Sequence, residues 1–180
     1  SATISPAVDA PLRRIFNRNM SRGGRFYAIG SSWQNIKAEA RKAVMIGGEP
    51  TVELDFKTLH PAILYAEAGA PLPADCYALD DWPRGLVKIA LLTVINAPTI
   101  HKARHAIAHV DAMPAPGSQD ALRAADQLID ELKRLHAPIA RAFHSDAGAR
   151  LMAIDAGIAE AVMLDMIRQG VVVLPVHDSF

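Results

Sequence analysis

Two aspartates close two apolar runs that lie far apart in the chain. The stretch Val-Glu-Leu-Asp that ends at Asp55 alternates with the period of a half-buried strand, and Asp178 follows the β-branched run 171–176. Two carboxylates brought side by side would repel each other unless a divalent cation such as Mg²⁺ lay between them. The pattern predicts two strands that bring Asp55 and Asp178 to one metal site. Glu53 is either a third carboxylate near the metal or only a charge at the strand edge. Taken alone, the motif around Asp55 favours a capping residue at the end of a surface strand.

A pair of basic residues is spaced one helical turn apart. A helix is predicted over residues 83–97, with proline at an early position as helices prefer. Arg84 and Lys88 then project from one face of that helix. Without other motifs, the two cations would read as the solvated side of an amphipathic helix.

Taken in order, these segments resemble the motifs of a known superfamily. Residues 54–61 (Leu-Asp-Phe-Lys-Thr-Leu-His-Pro) resemble motif A of template-directed polymerases. Residues 176–180 (Val-His-Asp-Ser-Phe) resemble motif C of the single-subunit superfamily, which comprises family A DNA polymerases and phage-type RNA polymerases. Residues 84–88 have the Arg-x-x-x-Lys spacing of motif B. The similarity extends to residues 41–50 before motif A and 151–170 before motif C.

The resemblance implies nucleotidyl transfer with two metal ions. Asp55 and Asp178 would hold two Mg²⁺ or Mn²⁺ ions beside the primer 3′-hydroxyl and the leaving pyrophosphate. Arg84 and Lys88 would bind the triphosphate of the incoming nucleotide, and Lys88 would donate a proton to the leaving group. Asp155 falls roughly where the family has a polar residue facing the template-primer; a simple surface aspartate is the alternative. The implied partners are a DNA template-primer and nucleoside triphosphates.

His60 bears on the choice between DNA and RNA synthesis. It stands five residues beyond Asp55, where family A DNA polymerases have a glutamate that crowds the ribose 2′ position and phage-type RNA polymerases have a small residue. An imidazole has enough bulk to exclude a 2′-hydroxyl, although His60 could instead merely cap the following helix. The chain departs from the family at Asn96 and Ala97, where Tyr-Gly is usual, so base-pair checking by an aromatic ring is in doubt.

The predicted fold class is α+β. We expect a small antiparallel palm-like sheet packed on a long buried helix at residues 151–169, with Gly170 as its C-cap. A helical, fingers-like insertion spans about 70–145 within a palm at 49–180. Residues 1–48 form a basic segment with eight Lys and Arg against two acids, which could follow a nucleic-acid backbone or be a solvated basic surface.

Composition favours a folded, soluble, cytoplasmic protein. The 180 residues are 51% hydrophobic with net charge zero, and the single cysteine, Cys76, excludes an internal disulfide. No stretch is apolar enough to span a membrane, and no signal peptide is recognised. The leading hypothesis is a DNA polymerase of family A type, as a segment of a larger chain that supplies the missing thumb. The alternatives are a primase or RNA polymerase relative and a non-catalytic remnant of the fold.

Overall fold

The computed structural model describes residues 10–30, 32–177 and 179–180, so Asp178 lies outside the described residues. The chain divides into two compact units, which we call the first unit (up to Leu59, together with Arg150–Phe180) and the second unit (His60–Ala149). Helices and small antiparallel sheets are both present, which confirms the α+β class. The strands are β1 (Leu12–Phe16), β2 (Gly23–Ala28), β3 (Met45–Ile46) and β4 (Glu49–Pro50). The α-helices are α1 (Ala38–Arg41), α2 (Leu59–Glu67), α3 (Arg84–Asn96), α4 (Ile100–Ala108), α5 (Gln119–Leu135) and α6 (Ala147–Arg168), and short 3₁₀ helices cover Trp33–Asn35 and Ala137–Ala142.

The first unit contains two antiparallel hairpins. In the hairpin of β1 and β2, Gly24 has φ +86°, and a Cβ at this position would lie 2.4 Å from the ring of Phe16. Only glycine therefore fits where the two strands approach each other. The hairpin of β3 and β4 turns through Gly47 and Gly48, whose positive φ angles of 61° and 89° suit a two-residue hairpin turn.

The two predicted metal-bearing strands are not strands in the structure. Residues 51–56 and 171–176 carry only isolated bridges, from Asp55 to Ser179 and from Val176 to Ser179. Val52 and Leu54, predicted to be half-buried, are 77% and 68% exposed. The prediction of two half-buried strands is wrong for the described residues, and the palm-like form of the sheet stays a prediction. Alternation shows which side chains would share a face. A strand also requires an adjacent strand that pairs with its backbone N–H and C=O groups, and other residues that cover its apolar face.

Helix α6 is present as predicted but is buried on one side only. Its buried positions recur at helical spacing, at Leu151, Asp155, Ala156, Ala159 and Met163. On another face Leu164 and Ile167 are 47% and 65% exposed, so the prediction of an entirely buried helix is wrong. The C-terminal cap is confirmed: Gly170 has φ +73°, and the amide of Val171 donates back to the Met166 carbonyl at 2.9 Å.

The second unit has a helical core. The predicted helix at 83–97 is confirmed as α3, and α5 begins after Ser118, whose hydroxyl accepts from the amide of Ala121 at 3.1 Å. Fully buried aliphatic side chains from α3, α4 and α5 form this core: Leu86, Leu91, Ile95, Ile107, Leu128, Ile129 and Leu132. Burying such side chains is the main favourable term in folding. Within the described residues, no helix has the length and apolar character to cross a membrane.

A buried histidine links three parts of the second unit. His136 follows α5, is fully buried, and lies 2.9 Å from the Tyr65 hydroxyl and 2.9 Å from the Cys76 carbonyl. A carbonyl can only accept, so Nε2 carries the proton and Nδ1 accepts from Tyr65. Burial lowers the pKa of His136, because the charged imidazolium would lose its hydration. The neutral ring is therefore part of the folded core.

Candidate functional site

The segments that resemble motifs A and C lie side by side in the first unit. The Leu54 amide donates to the Phe180 carbonyl at 2.8 Å, and the Phe180 amide donates to the Leu54 carbonyl at 2.9 Å. Asp55 and Ser179 form the adjoining antiparallel bridge. Ser179 follows Asp178 directly in the sequence. The backbone therefore brings Asp55 next to the segment that contains the second predicted carboxylate.

The C-terminal segment reverses direction in a tight turn. Val176 and Ser179 exchange two backbone hydrogen bonds, with N···O distances of 2.8 and 3.1 Å. His177 lies in this turn with φ +61°, a left-handed conformation that non-glycine residues adopt only where the structure holds them. Its ring meets the edge of Tyr27 at a centroid separation of 5.8 Å. His177 is thus a turn residue.

Glu53 is bound by two side chains from other segments. Arg41 donates from Nε to Oε2 at 3.1 Å and from Nη2 to Oε1 at 2.9 Å, and the Ser179 hydroxyl donates to Oε1 at 3.1 Å. The hydrogen bonds from Arg41 lower the pKa of Glu53, with a smaller contribution in the same direction from Ser179. The glutamate is therefore held ionised and oriented by partners on both of its oxygens.

A tryptophan and a glutamine fasten the start of the turn. The indole Nε1 of Trp33 and the amide Nε2 of Gln34 both donate to the Pro175 carbonyl, at 2.9 and 2.7 Å. Gln34 also donates to the Phe26 carbonyl and accepts from the Ala28 amide, so it joins β2 to the C-terminal segment. Sequence reasoning did not find these two contacts, since nothing in the local pattern identifies a partner 142 or 141 positions away.

A cavity of about 750 Å³ adjoins the two segments. Its walls include parts of residues 49–56, of α6 and of the 170–174 segment, and most of the lining is apolar. Asp55 and Glu53 both contribute to the lining. The acidic groups therefore stand at the margin of a concave, largely hydrophobic space, as in many binding sites.

The predicted triphosphate-binding residues belong to the second unit. Arg84 and Lys88 are exposed one turn apart on α3, as predicted from their spacing. The Arg84 guanidinium makes a forked ion pair with Asp75, both contacts at 3.1 Å, and lies 5.0 Å from the centre of the Tyr77 ring. A phosphate that bound Arg84 would have to share it with Asp75 or replace that carboxylate. His60 lies half-buried in the first turn of α2.

Two arginines of the basic segment are engaged in the fold. Arg25 on β2 donates from Nε and Nη2 to Asp155 of α6 at 2.8 and 2.5 Å, and Asp155 is 1% exposed. Arg14 on β1 pairs with Glu160 of α6 at 3.1 Å. The expectation of a surface-exposed or template-facing Asp155 is wrong, because a guanidinium holds its carboxylate inside the unit.

The donor chemistry at Asp55 suits Mg²⁺. This ion is usually held by one or two carboxylates together with water and substrate phosphates, and Asp55 is an exposed residue with a side chain of that kind. Glu53 already accepts from Arg41 and Ser179. No cluster of three histidine, cysteine or acidic side chains in a metal-binding arrangement occurs in the described part of the chain. Asp178, the second predicted ligand, is not among the residues that the structure describes.

Comparisons with protein-family models, with curated proteins and with solved structures found no match.

Proposed function

We propose that this chain is the palm and fingers region of a template-directed nucleotidyltransferase, a DNA polymerase of family A type. The observation that carries the proposal is the reciprocal backbone pairing of Leu54 with Phe180. It places together two segments that resemble motifs A and C and that are separated by more than 100 positions in the sequence. In the proposed enzyme, a DNA template-primer and nucleoside triphosphates are the partners.

The residues of the chain have distinct roles in this proposal. Asp55 and Asp178 would hold two Mg²⁺ ions, which would lower the pKa of the primer hydroxyl and offset the negative charge of the leaving pyrophosphate. Arg84 offers a forked donor to the triphosphate, and Lys88 offers a mobile point charge that can also donate a proton to the leaving group. His60 excludes a ribose 2′-hydroxyl by its bulk.

A second candidate is a non-catalytic protein that retains the polymerase fold. It is favoured by one observation, the ion pair of Arg84 with Asp75, because this pair occupies the guanidinium that a triphosphate would need. In that case Arg84 and Tyr77 would stabilise the segment before α3 and bind no nucleotide. An RNA-making relative of the enzyme is distinguished by its choice of nucleotide.

Metal binding and primer extension test the proposal together. We expect calorimetric titration with Mn²⁺ to show binding that Asp55→Asn abolishes and that the control Glu39→Gln, at an exposed acid of α1, leaves unchanged. A labelled primer-template, offered with deoxyribonucleotides or ribonucleotides, then reports activity and sugar choice. Mn²⁺ binding that Asp55→Asn does not alter, with no extension under any condition, would favour the non-catalytic candidate.

A further inference from the structure

We propose that Glu53 is a positioning residue, which clamps the Asp55 segment to the 176–180 turn and does not itself bind metal. This inference rests on the proposed function, since the site it organises is the proposed metal site. Glu53 stands two positions before Asp55 and is the candidate for a third metal ligand; a positioning role is the alternative to ligation.

The hydrogen-bond geometry accounts for both oxygens of Glu53. Oε2 accepts from Arg41 Nε, while Oε1 accepts from Arg41 Nη2 and from the Ser179 hydroxyl. A forked guanidinium fixes the plane of a carboxylate as well as its charge. A divalent cation on the same oxygens would face the positive charge of Arg41 at close range, which is unfavourable. The observed partners therefore suit a structural anchor better than a ligand.

The clamp joins three segments of the first unit. Arg41 is the last residue of α1. Its Nη1 also donates to the Ile36 carbonyl at 3.1 Å, which holds the guanidinium against the segment before α1. The single proton of the Ser179 hydroxyl has two acceptors within reach, Glu53 Oε1 at 3.1 Å and the Val176 carbonyl of the tight turn at 3.0 Å. Glu53 is the acceptor on which Arg41 and Ser179 converge.

The backbone pairing beside the clamp is short. Leu54 and Phe180 contribute two hydrogen bonds, and they adjoin Glu53 and Ser179 in the chain. A two-stranded pairing of this kind is marginal in water without support from side chains. A slip of one residue would turn the Asp55 side chain to the opposite face. The contact of Glu53 with Ser179 therefore fixes the register on which the direction of Asp55 depends.

Charge-conserving variants separate positioning from ligation. Arg41→Lys keeps the positive charge and removes the fork, and Ser179→Ala removes an uncharged donor. If Glu53 positions the site, we expect both variants to weaken Mn²⁺ binding by about tenfold, as for other groups that orient metal ligands. If Glu53 is a ligand, the same variants release its oxygens, and Mn²⁺ affinity stays constant or rises. Glu39→Gln, at an exposed acid of α1, is the matched control and should leave the affinity unchanged.

Amide hydrogen exchange in EDTA gives a readout that involves no metal. We expect Glu53→Ala, Arg41→Lys and Ser179→Ala to accelerate exchange of the Leu54 and Phe180 amides, while amides of the β1–β2 hairpin keep their wild-type rates. Unchanged exchange at Leu54 and Phe180 in these variants would overturn the clamp. If Glu53→Ala does not fold, Arg41→Lys and Ser179→Ala still decide the question.

The two proposals fail in different ways. If Asp55→Asn leaves Mn²⁺ binding intact, the metal site and the proposed function are refuted. The amide exchange rates of Leu54 and Phe180 in EDTA still test the contact of Glu53 with Arg41 and Ser179, because they do not depend on metal. If Asp55→Asn abolishes Mn²⁺ binding but Arg41→Lys and Ser179→Ala do not weaken it, the proposed function stands. In that case the positioning role of Glu53 is overturned.

Discussion

Leu54 and Phe180 donate their backbone amides to each other's carbonyls, at 2.8 and 2.9 Å, although 125 residues separate them in the sequence. Each of the two paired segments is short, and its resemblance to a polymerase motif is weak evidence by itself. Their pairing brings the two segments together at one candidate site. The adjoining residues, Glu53 and Ser179, are joined through their side chains. The first unit thus supports Asp55 through backbone and side-chain contacts at once.

The buried ion pair of the first unit should matter more for stability than its exposed counterpart. Asp155 and Glu160 both lie on α6 and both bind an arginine of the β1–β2 hairpin, but Asp155 is 1% exposed and the Glu160 side chain 49%. We expect Asp155→Ala to lower the free energy of unfolding by about 3 kcal/mol, because it leaves Arg25 without this buried partner. The control Glu160→Ala should cost less than about 1 kcal/mol. Urea unfolding measures both, and equal losses would contradict the assignment.

His136 predicts a loss of stability in mild acid. Its pKa in the folded chain is below the usual 6.5, so the unfolded chain takes up a proton first as the pH falls. The contribution of neutral His136 to the free energy of unfolding is fully present above about pH 6.5. Below that pH it falls by at most about 1.4 kcal/mol per pH unit, until the pH reaches the pKa of His136 in the folded chain. Urea unfolding between pH 5 and 8 should show a shallower decline in His136→Gln.

His144 supplies the comparison for that experiment. Burial also lowers its pKa, assisted by the positive charge of Lys133, so it contributes a slope of the same sign. We expect His136→Gln and His144→Gln each to remove part of the acid-dependent loss, and the double variant to remove more than either one. A slope that is unchanged in all three variants would show that other groups cause it.

Lys88 should act on the nucleotide and not on the template. It is exposed one turn after Arg84 on α3, where nothing in its burial hinders contact with a phosphate. In a preparation that extends primers, we expect Lys88→Ala to reduce kcat/KM for the nucleotide at least tenfold, with little change in template affinity. Lys102→Ala, at an exposed lysine of α4, is the control. Equal kinetics in the two variants would remove Lys88 from the proposed site.

The pairing of Arg84 with Asp75 makes a related prediction. The hydrogen bonds from Arg84 lower the pKa of Asp75, and the two side chains are exposed at 65% and 40%. If Arg84 binds the triphosphate, Asp75→Asn should tighten binding of a fluorescent nucleotide, because a competing carboxylate is removed. Arg84→Ala should weaken it. A nucleotide affinity that neither variant alters would support the non-catalytic candidate.

His60 carries the prediction about sugar choice. It lies in the first turn of α2, five residues after Asp55. In an active preparation, we expect His60→Ala to raise the incorporation of ribonucleotides relative to deoxyribonucleotides severalfold, because a steric clash with the 2′-hydroxyl is removed. The ratio of the two kcat/KM values is the proper measure, since selectivity is a difference between two transition states. An unchanged ratio with retained activity would favour a capping role for His60.

The sequence by itself determined the helices and several of their ends. The helix predicted at 83–97 and the C-terminal cap predicted at Gly170 are both confirmed, and the long helix predicted at 151–169 is present as α6. These features are local, because a helix satisfies its own backbone and a cap involves residues only a few positions apart.

Tertiary structure alone decided what the polar side chains do. Arg25 and Asp155 are 130 positions apart, and Glu53 and Ser179 are 126 apart, so no local pattern assigns either pair. Residues 51–56 alternate like a strand, yet they pair with the C-terminal segment through only a short stretch of backbone. An isolated sequence records which groups can donate, accept or carry charge. Which of many possible partners each one meets depends on how distant segments pack, because long-range contacts form only when the whole chain folds.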